Sequence, residues 1–252
     1  MTRGASPQYS RTLMMRLDRL LAETSALTRS QAARAIRDGK VTVNGIPVRR
    51  PEQKVSEDTD RICLEGEPVC YRRFHYYLLD KPTGLITASK DRNSETVLDL
   101  LPPEIRKQGI FPVGRLDKDT SGLLLLTDDG EYAHRVISPG RQVSKVYLAE
   151  VEGTLKPETA DLFRSGITLR DGTVCLPAEL EILSERDCLV TVQEGKYHQV
   201  RRMLAAAGNP VVRLRRIRIG ALTLPEDSKP GSWRALDEEE KDKVFFRANC
   251  AT

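Results

Sequence analysis

Cysteine, histidine and long apolar runs are all scarce in this chain of 252 residues. It contains five cysteines and three histidines, and no two cysteines form a Cys-x-x-Cys pair, so the sequence supports neither a disulfide framework nor a zinc site. No stretch approaches the roughly 18 apolar residues that a membrane span requires, and the first residues lack the apolar core of a signal peptide. We therefore expect a cytoplasmic protein without a metal site or a membrane partner.

Glycine-rich cofactor motifs are also missing. The chain has neither the G-x-G-x-x-G run of dinucleotide-binding domains nor the glycine loop that cradles nucleotide phosphates. Hydrophobic residues make up 39% and charged residues 30% of the chain, which is typical of a folded protein with a polar surface. Its length predicts one large domain or a small domain joined to a medium-sized one, and we expect no cofactor.

Positive charge is unevenly distributed along the chain. Residues 1–72 contain 13 Lys and Arg against 9 Asp and Glu, whereas residues 73–252 contain 27 of each. The net charge of +4 therefore lies entirely in the first segment. Because each Lys or Arg that meets a phosphate releases condensed counterions, this excess indicates an N-terminal unit that contacts nucleic acid.

The N-terminal segment is predicted to begin with a disordered lead and a helix. Residues 1–14 are polar and lack periodicity, as disordered segments do. A helix is predicted from Met15, because Leu17, Leu20 and Leu21 then share one face.

A second helix and a hairpin follow. Thr28 and Gln31 have the spacing of a capping box, and Gly39 stands where a helix-ending glycine belongs. Asn44 and Gly45 separate two short apolar stretches, which predicts a β-hairpin.

The pattern changes at Phe74 to strands alternating with short helices. Strands are predicted at residues 76–79, 123–126, 146–151, 176–183, 188–193 and 211–219, and helices at residues 97–101, 131–136, 157–165 and 198–207. Without regular helical crossovers, this order predicts an α+β fold whose sheet is mixed and largely antiparallel, with helices on its faces. Residues 65–73 contain Gly66, Pro68 and charges of both signs, and are predicted to be a linker.

The most informative run is GRLDKDTSGLLLLTDDG, from Gly114 to Gly130. It places Asp117 in a polar turn that precedes an apolar strand. An aspartate in a pocket offers a nucleophile or an electrostatic partner. The alternative is a loop aspartate that only hydrogen-bonds its own backbone.

This run resembles the signature of the pseudouridine synthases, which isomerise uridine within RNA. The matching residues are Gly114, Arg115, Leu116, Asp117, Asp119, Thr120, Ser121 and Gly122. In that family the Asp of Gly-Arg-Leu-Asp is the catalytic residue, so the resemblance implies this role for Asp117. The resemblance extends over most of the chain and is closest to the branch that acts on small-subunit ribosomal RNA.

The resemblance implies two further catalytic residues, Tyr147 and Arg201. The family carries a basic residue, a spacer and then a tyrosine that stacks on the target base, and Lys145 to Tyr147 match this pattern. A basic residue after a His-Gln-Val stretch pairs with the catalytic Asp, and this position is Arg201, with the adjacent Arg202 as the alternative. A guanidinium beside Asp117 would hold the carboxylate in one orientation. Packing in the core is the alternative role for Tyr147.

The N-terminal segment resembles an S-four type RNA-binding domain over about residues 15–64, because two helices with exposed arginines precede a hairpin. The candidate RNA-binding residues come from this segment and from the catalytic part of the chain. They are Arg16, Arg19, Arg29, Arg34, Arg37, Arg115, Lys145, Arg202, Arg213 and Arg215.

The last strand, from Arg213 to Gly220, carries arginines on both faces. Arg213 and Arg215 are predicted on one face, and Arg216 and Arg218 on the other. Such a strand is either an exposed edge that contacts phosphates or a strand whose arginines reach partner carboxylates.

Together the resemblance implies an RNA-binding domain at 15–64, a linker at 65–73 and a catalytic domain at 74–247. This enzyme would isomerise one uridine of 16S small-subunit ribosomal RNA, of the uridine 516 type, without a cofactor. Its partner would be that RNA or an assembly intermediate, and we expect a monomer. Direct attack of Asp117 on the sugar carbon and elimination at the sugar both stay open.

Three other functions remain open from the sequence. The nearest alternative is a synthase acting on 23S large-subunit ribosomal RNA, since such relatives share Asp117 and the N-terminal domain. Another is a non-catalytic RNA-binding factor of ribosome assembly. A hydrolytic glycosidase is less favoured, because no second carboxylate stands at a defined spacing.

Overall fold

The computed structural model describes residues 14–25, 27–56, 59–69 and 74–246. The chain divides into two compact units, with the boundary in the sequence between residues 73 and 74. The predicted disordered lead lies outside the described residues except for Met14. Within the described ranges, no helix is long and apolar enough to cross a membrane.

The N-terminal unit is built from two short helices and several short strands. Its described elements are β1 (Met14–Arg16), α1 (Leu17–Thr24), α2 (Arg29–Arg37), β2 (Val41–Val43), β3 (Ile46–Val48), β4 (Lys54–Ser56), β5 (Ile62–Leu64) and β6 (Glu67–Pro68). Strand β1 pairs with β4, and the other four strands form a sheet in the order β3-β2-β5-β6.

Local signals explain most of this unit. The predicted capping box of Thr28 and Gln31 is formed at the start of α2. Asn44 and Gly45 have φ angles of 53° and 81°, the left-handed conformation that a two-residue hairpin turn requires. Helix α1 begins two residues after Met15, because the preceding residues pair with β4 instead.

The unit has its own hydrophobic core. The apolar face of α1 packs against α2 and the β2–β3 hairpin, and the fully buried side chains are Leu17, Leu20, Leu21, Ala32, Ile36, Val41 and Val55. At the end of the unit, Glu67–Pro68 pairs with β5 and Val69 packs against this core. Part of the segment that we predicted as a linker is therefore a strand, because the turn at Gly66 returns the chain to the sheet.

The second unit contains the remaining elements. These are β7 (Tyr76–Lys81), a 3-10 helix (Val97–Leu100), α3 (Pro103–Arg106), β8 (Phe111–Val113), β9 (Thr120–Thr127), α4 (Gly130–Ile137), a second 3-10 helix (Pro139–Arg141), β10 (Lys145–Val151), α5 (Pro157–Ser165), β11 (Glu179–Ile182), β12 (Asp187–Val192), α6 (Gln199–Ala206), β13 (Val211–Ile219), β14 (Leu222–Thr223), β15 (Trp233–Ala235) and α7 (Glu238–Lys243).

One nine-stranded sheet organises this unit. Its strand order is β11-β12-β10-β13-β9-β7-β15, with β14 paired to β13 and β8 paired to β9. Strands β13 and β9 run parallel, whereas the other pairs in this sheet are antiparallel. The predicted fold class, a mixed and largely antiparallel sheet with helices, is confirmed.

The centre of strand β9, residues 123–126, consists only of leucines because both of its faces are buried. Leu123 and Leu125 pack in the core that contains α4, whereas Leu124 and Leu126 pack in the core that contains the first 3-10 helix. A strand covered on both faces loses the alternation of apolar and polar residues. This burial fixes the start of β9, and with it the turn that contains Asp117.

Strand β13 lies inside the sheet, between β10 and β9, so the first of the two alternatives for this strand, an exposed edge, is wrong. Its pairing with β10 shifts by one residue between Arg216 and Arg218, where Ile217 is the extra residue of a β-bulge. Arg216 is paired with Tyr147 and Arg218 with Val146, so the bulge places the two arginines on opposite faces. In a strand without a bulge, residues two positions apart point to the same face, so Arg216 and Arg218 would have shared one face.

Candidate active site

A cavity of about 380 Å³ opens where the turn before β9 meets β10, β13 and the start of α6. It is lined by five of the predicted site residues, namely Arg115, Asp117, Lys145, Tyr147 and Arg201. These residues come from three separate stretches of the sequence. The fold therefore brings the carboxylate of Asp117, the ring of Tyr147 and three predicted cations to a single space, whose lining also includes Glu194 and Tyr197.

The turn that carries Asp117 is held at several main-chain positions. The side chain of Leu116 is buried, and its carbonyl accepts a hydrogen bond of 2.7 Å from the Thr87 hydroxyl. The Thr120 amide donates to the Asp117 carbonyl at 3.1 Å. The Asp117 side chain itself stays 32% exposed, so its carboxylate is accessible from the cavity.

Lys81 lies behind this turn with no exposed surface. Its Nζ donates hydrogen bonds to the carbonyls of Asp117 at 3.0 Å and Thr120 at 2.9 Å, and also to that of Pro82 at 3.0 Å. Burial lowers the pKa of Lys81 to about 8, against the opposing effect of the carboxylates of Asp117 and Asp119. The Lys81 ammonium group thus donates hydrogen bonds to carbonyls at both ends of the turn.

Arg201 reaches the turn at a different residue from the predicted one. Its Nη2 lies 3.0 Å from the carboxylate of Asp119 and donates to the Asp119 carbonyl at 3.1 Å. The expected pairing of Arg201 with Asp117 is not formed. Instead, His198 Nε2 lies 3.4 Å from Asp117 Oδ1.

Tyr147 lies on β10 beside a buried arginine that is its partner on β13. Arg216 is only 4% exposed, and its guanidinium carbon lies 6.0 Å from the centre of the Tyr147 ring. Its Nε donates to the Leu123 carbonyl at 2.8 Å, and its Nη1 donates to the Tyr147 hydroxyl at 3.4 Å. These contacts fix the guanidinium beside the ring without any carboxylate.

Lys145 precedes Tyr147 by two residues, so both side chains lie on the cavity face of β10. Burial, followed by repulsion from Arg216, lowers the pKa of Lys145 to about 8. Among the described residues, no carboxylate lies within ion-pair distance of either cation. The cavity therefore suits a ligand that carries negative charge or carbonyl oxygens.

Buried donors in the cavity lining point to the same chemistry. Thr120 Oγ1, Arg201 Nε and Arg216 Nη2 are inaccessible and have no hydrogen-bond partner within the described part of the chain. Buried polar atoms are normally paired, so unpaired ones beside a cavity indicate groups that a ligand can satisfy.

Three predicted RNA-binding residues of this unit are paired away from the cavity. Arg202 contacts Asp171 at 2.5 Å, so it is not placed to act on Asp117 in place of Arg201. Arg213 lies 3.2 Å from Glu150, and Arg215 lies 2.7 Å from the fully buried Asp80. For Arg213 and Arg215, the structure therefore shows the second of our two alternatives, contact with partner carboxylates.

In the N-terminal unit most of the candidate arginines are exposed and also contact carboxylates. Arg16 and Arg29 both lie near Asp18, at 2.8 Å and 3.6 Å. The other pairs are Arg19 with Glu23 at 2.7 Å and Arg34 with Asp38 at 3.8 Å, while Arg37 lies exposed on the same helix as Arg34. Exposed ion pairs of this kind are weak and can exchange for phosphate contacts.

The sequence predicts that Tyr197 and His198 shape the pocket, and both line the cavity. It does not identify the contact of His198 with Asp117 or the positions of Lys81 and Arg216 in this site. Lys81 is the last residue of the buried strand β7, in a Leu-Leu-Asp-Lys-Pro run that contains no recognised site motif. Strand alternation predicts the face on which Arg216 lies, but it does not identify Tyr147 as its partner on β10. Three-dimensional pairing, rather than any motif, brings these side chains to Asp117 and Tyr147.

Two protein families match this chain. The family described as RNA pseudouridylate synthase matches residues 75–206, and the S4 domain matches residues 15–62. The ribosomal small subunit pseudouridine synthase A of Vibrio cholerae is 40% identical over 232 residues, which is 92% of this chain and 100% of that protein. Its Escherichia coli K12 counterpart is 40% identical over 228 residues, covering 90% of this chain and 98% of that protein.

Two further comparisons agree with these. An uncharacterized RNA pseudouridine synthase of Bacillus subtilis, YtzG, is 40% identical over 230 residues, covering 90% of this chain and 96% of that protein. A solved structure described as a pseudouridylate synthase superposes with a TM-score of 0.65 at 38% identity, covering 91% of this chain and 99% of that one.

Proposed function

This chain belongs to the RNA pseudouridylate synthase family, and from that premise we propose that it modifies a single uridine of 16S small-subunit ribosomal RNA, of the uridine 516 type. The family makes the protein an isomerase, and the S4 domain gives it an RNA-binding module. The small-subunit target is supported by relatives named as small-subunit synthases that match over nearly their whole length.

We assign the reaction to Asp117, with Tyr147 and Arg201 as its partners in the cavity. The observation that carries this assignment is the cavity itself, since it opens on the one carboxylate of the Gly-Arg-Leu-Asp turn beside an aromatic ring. Isomerisation breaks the bond from the sugar carbon to N1 of uracil and forms a bond to C5. The C5 hydrogen leaves as a proton and N1 gains one, so nothing is oxidised or reduced. Asp117 can stabilise or attack the sugar carbon while the base turns.

The other cavity residues have roles that follow from their chemistry. Tyr147 offers a flat surface on which the uracil stacks. Lys145 and Arg216 offer cations to a backbone phosphate or to the uracil carbonyls. A stacked uridine must be turned out of the RNA to enter, which costs a few kcal/mol that these contacts offset.

The N-terminal unit is proposed to bind the ribosomal RNA around the target. Its exposed arginines on α1 and α2 match the needs of phosphate contact, which depends on accessible charge rather than on sequence. Arg115 and Lys145, at the cavity, would contact RNA next to the target uridine.

Mapping pseudouridines in ribosomal RNA tests the proposed target. RNA from cells that lack this protein is compared with RNA from cells that produce it. We expect one 16S uridine to lose its modification without the protein, and all 23S sites to remain. Loss confined to 23S RNA would contradict the small-subunit target while leaving the family assignment intact.

A further inference from the structure

We infer that His198 is a positioning residue for Asp117. Its imidazole Nε2 faces the Asp117 carboxylate, and in the substrate complex it would donate a hydrogen bond that holds the carboxylate in the orientation that the reaction needs. The sequence motif assigned this task to Arg201. The inference rests on the proposed catalytic role of Asp117.

Distances favour His198 over Arg201 as the partner of this carboxylate. His198 Nε2 lies 3.4 Å from Asp117 Oδ1, and no other basic group of the described residues lies within 4.0 Å of that carboxylate. Arg201 is occupied by both the side chain and the carbonyl of Asp119. Hydrogen bonds at catalytic groups are often long before substrate arrives and shorten in the complex, so 3.4 Å is a suitable starting distance.

The position of the imidazole is fixed in advance by two features. His198 has φ 48° and ψ 35°, a left-handed conformation that costs a residue with a side chain on the order of 1 kcal/mol. Its ring stacks on Tyr197, with centres 3.9 Å apart and planes 17° apart. Backbone strain of this kind persists where the surrounding structure holds a side chain in place for a function.

His198 and Lys81 act on different parts of Asp117. Lys81 binds the main-chain carbonyl and fixes where the turn lies. His198 contacts the carboxylate and restricts how the side chain rotates about its own bonds. Arg201 Nη2 pairs with the carboxylate of Asp119, so this guanidinium contacts the turn at a different residue. His198 is thus the described side chain that is placed to orient the carboxylate directly.

A series at position 198 separates a hydrogen-bond donor from a ring or a backbone effect. His198→Gln places an amide nitrogen close to the position of the histidine Nε2. In His198→Asn the side chain is shorter, so its amide nitrogen lies about one bond length or more from that position. Asn also tolerates the left-handed backbone better than most residues. His198→Phe keeps a ring that can stack on Tyr197 but cannot donate. His134→Asn, at an exposed position of α4, is the matched histidine control.

The readout is kcat and KM for tritium release from RNA labelled at carbon 5 of uridine. We expect His198→Asn and His198→Phe to lower kcat by about 10- to 100-fold with KM little changed, because misplacing a reacting group by an ångström has effects of that size. His198→Gln should recover most of the loss, and His134→Asn should match the wild type. Full kcat in the Asn and Phe variants, or a Gln variant as slow as both, would overturn the inference.

Two measurements protect this test from ambiguity. If Asp117→Asn keeps its activity, the proposed role of Asp117 is wrong. If Asp117→Asn is inactive but all His198 variants have the wild-type kcat, only the inference about His198 is wrong. Imidazole NMR does not depend on turnover, and the chain has only three histidines to assign. Asp117→Ala should shift the His198 ring signals and leave those of His75 and His134 unchanged. Unshifted His198 signals would contradict the contact.

Discussion

In the N-terminal unit the arginines of both helices lie at the surface, whereas in the catalytic unit two cations lie inside the protein. The side chains of Arg29 and Arg34 are 60% and 85% exposed. Lys81 and Arg216 are 0% and 4% exposed. Both units use positive charge, but they place it in different environments.

This difference assigns the two units different tasks. Exposed cations attract a phosphate backbone over about 10 Å at moderate salt, without regard to sequence. A buried cation costs folding free energy, and its position is fixed by its partners. We therefore expect the N-terminal unit to supply affinity for RNA and the catalytic unit to supply orientation at one uridine.

Among these cations, removing the buried Lys81 should have the largest effect on stability. Lys81→Met leaves the carbonyls of Asp117, Thr120 and Pro82 without their shared donor. We expect the free energy of unfolding to fall by about 3 kcal/mol, since unpaired buried acceptors are costly. The turn should also lose its position, so kcat should fall by about 10-fold.

Denaturant unfolding and tritium release measure these two effects of Lys81→Met. Lys156→Met, at an exposed lysine, is the control and should change neither. A Lys81→Met protein as stable and active as the control would show that burial of this ammonium has no structural purpose.

Neutralising exposed arginines should weaken binding without slowing the reaction. In an Arg34→Gln, Arg37→Gln protein we expect Kd for ribosomal RNA to rise about 10-fold at moderate salt, with kcat unchanged. The slope of log Kd against log salt should fall by about 1.5, because each phosphate contact contributes about 0.7 to 0.9. Filter binding at several salt concentrations measures both Kd and this slope.

The matched control for that pair is Arg164→Gln, Arg170→Gln, two exposed arginines of the catalytic unit. It should leave both Kd and the salt slope near their wild-type values. If both double variants weakened RNA binding equally, the proposal that the N-terminal unit supplies the affinity for RNA would be wrong.

The smallest expected effect is a gain in stability from removing Lys145. Because burial lowers the pKa of Lys145 to about 8, its charged form is disfavoured in the folded protein. Lys145→Met should therefore raise the free energy of unfolding by about 1 kcal/mol at pH 7. RNA binding should weaken at the same time, as a cavity cation is lost. Lys145→Arg, which keeps the charge, is the control.

The same lysine predicts a pH dependence with a definite sign. Between about pH 8 and the ordinary value of 10.5, the unfolded chain binds a proton at Lys145 that the folded protein has lost. Stability of the wild type should rise with pH across this window relative to Lys145→Met. The difference between the two unfolding free energies should therefore shrink from pH 7 to pH 10. A difference that stays constant would contradict the burial of this charge.

Local signals in the sequence predicted most elements whose cause is local. The helix over 157–165 matches Pro157–Ser165, since proline begins it and Gly166 follows it. The capping box and the Asn44-Gly45 turn were equally clear. The strand over 211–219 also has its predicted bounds. In each case a few neighbouring residues determine the backbone conformation.

Features that depend on distant residues could not be predicted in this way. Strand β8 is three residues long with a central proline, and it forms only because β9 is there to pair with it. Lys81 is buried because a turn nearly 40 residues away supplies its carbonyl partners. Arg201 contacts Asp119 rather than Asp117, and the helix that carries it begins directly after the left-handed backbone of His198. Sequence spacing contains none of this information.

The most direct test of the account is the fate of Asp117→Asn on ribosomal RNA labelled with tritium at carbon 5 of uridine. The amide has the shape of the carboxylate but is neither a nucleophile nor an anion. We predict that tritium release falls by at least about 1,000-fold while RNA affinity stays within about twofold of the wild type. Release at the wild-type rate would contradict the central claim that this carboxylate carries the reaction.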